Sequence, residues 1–267
     1  MRMSLIITTY NWREALNVVL KSITKQTILP DEVIIADDGS RNDTKELIEQ
    51  WEKIFPIPLI HSWQEDKGFR AAESRNKAIS KATGDYIIMI DGDMILSKKF
   101  VEDYKRNAKK GYFIQGGRVV TDIHCSEKII NDDYLPSLFS KGLKNRKNCI
   151  SNKILSKIFS YERNSDKGTR TCNFGCWKSD IIDVNGFNND FVGWGREDSE
   201  FVIRMLNAGK KRLYLKFAAV AFHLYHNENS RKSLKENDIL LLNTIDKKLT
   251  YCKNGLNKYL KKEVHER

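Results

Sequence analysis

Tyr86-Ile87-Ile88-Met89-Ile90-Asp91-Gly92-Asp93 is the stretch on which the reading of the fold rests. Five apolar or aromatic residues follow one another without alternation, then two carboxylates flank a glycine. A strand with one wet face alternates; one that is apolar throughout belongs inside a parallel sheet covered on both faces. Three more short runs toward the N-terminus carry the same signature: Leu5-Ile6-Ile7-Thr8-Thr9, Glu32-Val33-Ile34-Ile35-Ala36 and Pro58-Leu59-Ile60-His61. The segments between them have helical character. Arg13 to Gln26 places Leu16, Val19, Leu20 and Ile23 on one side; a second helix starts at a cap, Asn42 or Asp43, and runs to about Lys53; a third spans 70–81, before Gly84. This alternation predicts an α/β fold with a mainly parallel central sheet and helices on both faces. Ligands of such sheets bind beyond the carboxyl ends of the strands. Thr9-Tyr10-Asn11, Asp37-Asp38 and Asp91-Gly92-Asp93 all fall there.

The second half is less regular. Tyr112 to Gly116 reads as a further strand. Residues 121–170 are polar and basic, an insert that is either a long excursion or a small helical unit of the kind that forms lids and binding segments. An apolar pattern returns at Thr171 to Trp177. Glu197 to Asn207 reads as a helix, Leu213 to Tyr225 as strand, and 234–262 as an amphipathic, Lys-rich helical tail.

The chain has 267 residues, of which 40% are hydrophobic, enough for a sizeable core and too many for a disordered chain. No apolar run approaches the roughly 20 residues needed to span a bilayer. The N-terminal apolar stretch, Leu5 to Ile7, is short and lacks a small-residue cleavage site, so it reads as a first strand and not an export signal. Five cysteines with no Cys-x-x-Cys pair argue against a zinc site or disulfide framework and for a reducing, cytoplasmic compartment. The net charge of +11 is unevenly spread: residues 1–140 sum to −1, 141–180 to +7, 181–228 to zero and 229–267 to +5. Basic patches attract anionic partners, although a charge run also serves solubility. A nucleic-acid binder would carry its cations on the motif-bearing half, which here is net negative, so no nucleic-acid partner is expected.

Three groups carry chemistry. Asp91-Gly92-Asp93 at a strand end reads either as a solvated turn or as an oxygen-ligand site for Mg2+ or Mn2+ bridging substrate phosphates. Gly193-Trp194-Gly195-Arg196-Glu197-Asp198 holds an indole between two glycines, suited to stacking on a sugar, ahead of carboxylates at a helix start where one can act as general base. Phe222-His223-Leu224-Tyr225-His226 offers two histidines; on one continuous strand they face opposite ways, so only one meets the metal.

Together these residues resemble family 2 glycosyltransferases of the GT-A fold. Ile6-Ile7-Thr8-Thr9-Tyr10-Asn11, Gln26-Thr27, Glu32 to Ser40, Gly68 to Asn76 and Asp91-Gly92-Asp93 follow that family's nucleotide-binding half. Asn185-Gly186-Phe187 and the Gly193–Asp198 segment look like the galactosyltransferase-type half found in bacterial chondroitin-type polymerases. The resemblance implies one GT-A domain over 1–228, divided into a nucleotide-binding half (1–120), the basic insert (121–170) and an acceptor half (171–228), followed by the tail (229–267). The motif-bearing residues leave the insert and tail outside the likeness. The resemblance further implies that Thr8 and Tyr10 line a uracil pocket, Asp38 accepts a hydrogen bond from uracil, and Arg70 or Arg75 holds the nucleotide. Asp91 contacts ribose or a metal-bound water. Asp93 binds Mn2+ (or Mg2+) with His226, His223 being the alternative. Asp198 is the inverting base, with Glu197 beside it, and Trp194 and Gly195 meet the sugars. The implied reaction moves galactose, GalNAc or GlcNAc from a UDP-sugar to a hydroxyl of a surface glycan (lipopolysaccharide or capsule) or a lipid-linked acceptor; the rival is a non-catalytic basic nucleic-acid- or glycan-binding protein. The tail is expected either to touch the cytoplasmic face of a membrane peripherally, or to pack on the domain or on a second copy in a homo-oligomer.

Overall fold

The computed structural model describes residues 1–227 and 230–260. The N-terminal part runs β1 (Met3–Thr9), α1 (Arg13–Thr24), β2 (Glu32–Asp37), α2 (Asn42–Glu52), β3 (Leu59–Trp63), α3 (Ala71–Lys81) and β4 (Tyr86–Asp91). There follow β5 (Met94–Leu96), α4 (Phe100–Asn107), β6 (Tyr112–Gly116), β7 (Val119–Thr121), α5 (Ile123–Asp132), β8 (Leu143–Lys144), α6 (Lys153–Phe159) and β9 (Tyr161–Glu162). The chain continues through β10 (Asn173–Trp177), α7 (Lys178–Asp183), α8 (Glu197–Asn207), β11 (Lys211–Leu215), β12 (Ala221–His223) and α9 (Leu234–Asp246). Among the described residues one sheet has the order β3-β2-β1-β4-β10-β6-β11-β9 and a second the order β5-β12-β7-β8.

The first four strands are parallel, and alternate residues feed opposite layers. Leu5, Ile7, Val33, Ile35, Ile88 and Ile90 pack under α1, α2, α4 and α5. Ile6, Ile34, Ile87 and Met89 pack under α3, α7 and α8. The two-faced burial expected of the unbroken apolar runs is therefore present. Parallel pairing is interrupted at β10, which runs antiparallel to both β4 and β6, and resumes between β6 and β11. Gly175 makes this close packing possible: a Cβ there would lie 2.6 Å from the Tyr104 ring.

Two expectations are corrected. Leu213 to Tyr225 is not one strand: β11 belongs to the large sheet and β12 to the small one. The chain crosses between them through left-handed backbone at Phe217 and Ala219, held by Ala219 N–H donating to Asp103 (2.8 Å) and Asn173 donating to Ala219 C=O (3.0 Å). The tail helix ends at Asp246, not near 262. Beyond it the chain folds back on Asn185, whose side chain donates to Cys252 C=O at 2.7 Å; residues 261–262 of the expected helix lie outside the described residues. Helix α9 packs on α8 through Asn237, Leu241 and Thr244, while Ile239, Leu242 and Ile245 stay exposed. No helix among the described residues is long and apolar enough to cross a membrane.

Candidate active site

Strand register brings the carboxyl ends of β2, β1 and β4 side by side, with Thr9 opposite Asp37 and Thr8 opposite Asp91. Gly92 then turns the chain tightly: its N–H donates to Thr8 C=O at 2.7 Å, and a Cβ would lie 3.0 Å from that oxygen. Asp93 therefore emerges between β4 and β5. Antiparallel pairing of β12 with β5 sets His223 opposite Met94, and Leu224 N–H donates to Asp93 C=O.

This register overturns the expectation that the two histidines face opposite ways. β12 ends at His223, so strand alternation does not extend to His226. Both imidazoles face Asp93, their Nε2 atoms 3.5 Å (His223) and 3.4 Å (His226) from Oδ2. Ligand atoms of all three residues lie within 4.8 Å of one another. His226 Nδ1 is 2.7 Å from the Asn227 carbonyl oxygen, which can only accept. Nδ1 therefore carries a proton, and Nε2 is the nitrogen turned toward Asp93, the arrangement that orients metal-bound histidines.

The electrostatics fit a cation better than a simple ion pair. Burial, with Asp91 adding to it, pushes the Asp93 carboxyl up to about 8. Burial, then Arg118 and His226, pushes His223 down to about 3. The two groups thus do not charge one another. Asp93 Oδ1 and His223 Nδ1 are buried without a protein hydrogen-bond partner. Unpartnered buried polar atoms are costly, and a divalent ion would satisfy the carboxylate. Two imidazoles and a carboxylate suit Mn2+ better than Mg2+, which prefers oxygen alone.

Beside this cluster lies a second, organised by Arg75 of α3. Its side chain is 6% exposed and reaches Asp91 (3.5 Å), Glu197 (3.4 Å) and Asp198 (3.3 Å), and Nε donates to Thr8 Oγ1 at 3.2 Å. Glu197 is pushed up to about 7 by burial and by Asp198, against the pull of Arg75. Asp198 is fixed at both oxygens by Thr171, which donates from its N–H (2.9 Å) and its hydroxyl (2.7 Å). Thr171 was invisible in the sequence, where nothing marks a lone threonine at a strand entrance.

The third group sits beyond β2. Asp38 accepts from Arg70 N–H (2.7 Å) and Gln64 Nε2 (2.6 Å), and burial pushes it up to about 6. Tyr10 is half exposed and donates to Asp66 at 2.9 Å. The Arg70 guanidinium is not part of this group; it turns to Glu73 (3.6 Å) and Lys67 C=O. Trp194 is 38% exposed on a loop where Gly193, Gly195 and Arg196 all have positive φ. A Cβ on Gly193 would lie 2.3 Å from Ser233 Oγ, so the glycine permits α9 to close on the loop. Asn237 of α9 completes the support by donating to Gly195 C=O at 2.9 Å.

The parallel strands thus end in paired carboxylates, with two imidazoles behind them and a Gly-Trp-Gly loop and a helix-start carboxylate pair facing them. The chain belongs to the family described as glycosyl transferase family 2, whose profile matches residues 4–172. That match runs through the whole of the basic insert (121–170), which the motifs alone had placed outside the likeness. Residues 154–227 match a second profile, described as the N-terminal domain of galactosyltransferase. The chain is 28% identical to a chondroitin synthase of Pasteurella multocida (strain Pm70) over 225 residues, covering 78% of this chain and 23% of the relative. It is 30% identical to a hyaluronan synthase of Pasteurella multocida over 224 residues, with the same coverage. It spans less than a third of the length of these relatives. A crystal structure of S. aureus TarS 1-349 in complex with UDP superposes with a TM-score of 0.60 at 17% identity, over 92% of this chain and 65% of that one; this likeness shows the fold alone.

Proposed function

We propose that the protein is an inverting, metal-dependent transferase. It moves galactose, GalNAc or GlcNAc from a UDP-sugar to a hydroxyl of a surface glycan or lipid-linked acceptor. The observation that carries this reading is the convergence of Asp93, His223 and His226 beside the Arg75-linked carboxylates Asp91, Glu197 and Asp198. Asp93, His223 and His226 would hold Mn2+, or less favourably Mg2+, which when bound would supply charge neutralisation to the departing diphosphate. Tyr10 stacks on uracil, the Asp38 carboxylate accepts from its imide N–H, and Thr8 closes the pocket. Trp194 and the Gly195 turn present an apolar face to the sugars.

Asp198 is the general base. Its side chain is more exposed than that of Glu197, 21% against 11%. Thr171 and Arg75 fix its carboxylate in place, which is what a base needs in order to meet an incoming hydroxyl. The hydroxyl gives its proton to Asp198 as its oxygen bonds to the anomeric carbon, while the bond from that carbon to the UDP oxygen breaks on the opposite face. One displacement inverts the configuration. The exposed Ile239, Leu242 and Ile245 on α9, with the basic residues of the tail, support peripheral contact with an anionic cytoplasmic membrane face or with a second copy. A panel of UDP-sugars with Mn2+, read by UDP release and by the anomeric configuration of the product, tests the proposal. A product of inverted configuration is expected; no release from any UDP-sugar, or a product of retained configuration, would overturn it.

A further inference from the structure

A cavity of about 590 Å3 opens beside the base, between the β6–β7 turn, residues 145–148 of the basic insert, residues 168–172 and the end of β11. Its volume is in the range of small-ligand sites, about 300–1,000 Å3. Five cationic side chains line it, Arg118, Arg146, Lys147, Arg170 and Lys216, and no acidic residue does. None of the five forms an ion pair among the described residues. Some basic residues elsewhere do pair, as with Lys25–Asp133, Lys153–Glu102 and Arg196–Asp238. Arg118 Nε is buried and has no hydrogen-bond partner. Three of the five cations come from the insert that concentrates the positive charge of the chain.

The cavity is also joined to the chemistry. Arg170 and Cys172 line it, and the residue between them, Thr171, is the one that fixes Asp198. A glycan whose terminal hydroxyl reaches Asp198 therefore has its following units within reach of these cations.

We propose that this cavity is an acceptor subsite for an anionic glycan, one carrying carboxylate or phosphate groups within a few bonds of the accepting hydroxyl. The inference rests on the transferase reading above and adds to it the chemical class of the acceptor. Unpaired, converging cations give a charge-assisted contact to such groups and focus them toward the site. A neutral glycan would leave the buried Arg118 Nε without a partner, at the cost of an unsatisfied polar atom.

The test is binding of three defined oligosaccharides to the full chain with saturating UDP and Mn2+, measured by calorimetry. The first is a uronate-containing hexasaccharide, the second is the same hexasaccharide with its carboxylates reduced to alcohols, and the third is a glycerol-phosphate hexamer. UDP binding is titrated separately on the same samples. At least one anionic probe is expected to bind tenfold or more tighter than the reduced one, since a single charge-assisted hydrogen bond is worth about 1.5–3 kcal/mol. Which anionic probe wins assigns carboxylate or phosphate. The Arg146→Gln/Lys147→Gln variant is expected to lose about tenfold for that probe while binding UDP as the wild type does. The proposal is overturned if neither anionic probe binds more tightly than the reduced hexasaccharide, or if no probe binds. A parallel loss of UDP affinity in the variant would assign the cavity to the donor's diphosphate instead. Failure of UDP to bind at all would count against the transferase reading itself, a result separate from these.

Discussion

Replacing Arg75 by Met removes the one cation shared by three carboxylates at the centre of the site. Asp91, Glu197 and Asp198 each lie within 3.5 Å of the guanidinium. Breaking a buried ion pair from one side costs about 3–5 kcal/mol. Asp91 and Asp198 are 36% and 21% exposed, so water takes up part of the loss and the lower figure applies. About 3 kcal/mol in a protein of this size lowers Tm by roughly 6–12 °C. The loss depends on pH in a definite direction. With Arg75 present, Glu197 already stands at about 7, above the roughly 4.3 of an unfolded glutamate. Without Arg75 it rises further. A carboxyl whose folded pKa is raised takes up a proton on folding, so its destabilising charge is fully present above the folded pKa and is relieved as pH falls through it. Thermal unfolding at pH 8 and pH 5.5 therefore should show a large deficit for Arg75→Met at pH 8 and a much smaller one at pH 5.5. Arg75→Lys, which keeps the charge but not the fork, should fall between. An equal deficit at both pH values, or none, would refute the idea that Arg75 balances repelling carboxylates.

Asp198→Asn should lower turnover about 100-fold or more, in line with the loss of a general base, with UDP affinity unchanged in a calorimetric titration; normal turnover with a dead Glu197→Gln would move the role to Glu197. Thr171→Val should cost less than Asp198→Asn, because the N–H at 2.9 Å remains, and should appear in kcat and not in UDP affinity. Asp38 stands at about 6, so uridine, which reports the base pocket without the diphosphate, should bind with constant affinity above pH 7 and lose about tenfold per pH unit well below 6. Asp38→Asn should flatten that profile.

The parallel half of the fold was legible because its strands are buried on both faces, which removes alternation and leaves apolar runs such as Ile87 to Ile90. The position of Asp91 and Asp93 at a strand end followed directly. What escaped depends on contacts distant in sequence. The convergence of both histidines on Asp93 requires β12 to pair antiparallel with β5 and to stop at His223. The break between β11 and β12 uses left-handed backbone at Phe217 and Ala219, residues that carry no turn signal, and is held by Asp103, 116 positions from Ala219. The support of Asp198 by Thr171 and of the Trp194 loop by Asn237 likewise joins segments that no local pattern relates. The tail's apolar run looked continuous, but only Leu241 of the residues 239–242 is buried, because α9 meets α8 along a narrow stripe.

The central claim is that Asp93, His223 and His226 hold a divalent ion that binds the donor's diphosphate. Calorimetric titration of UDP into the wild-type protein and into Asp93→Ala, each with Mn2+ and with excess chelator, tests it most directly. The account predicts that Mn2+ strengthens UDP binding by the wild type tenfold or more, about 1.4 kcal/mol, and leaves binding by Asp93→Ala unchanged. UDP affinity that is the same with Mn2+ and with chelator in the wild type would contradict it.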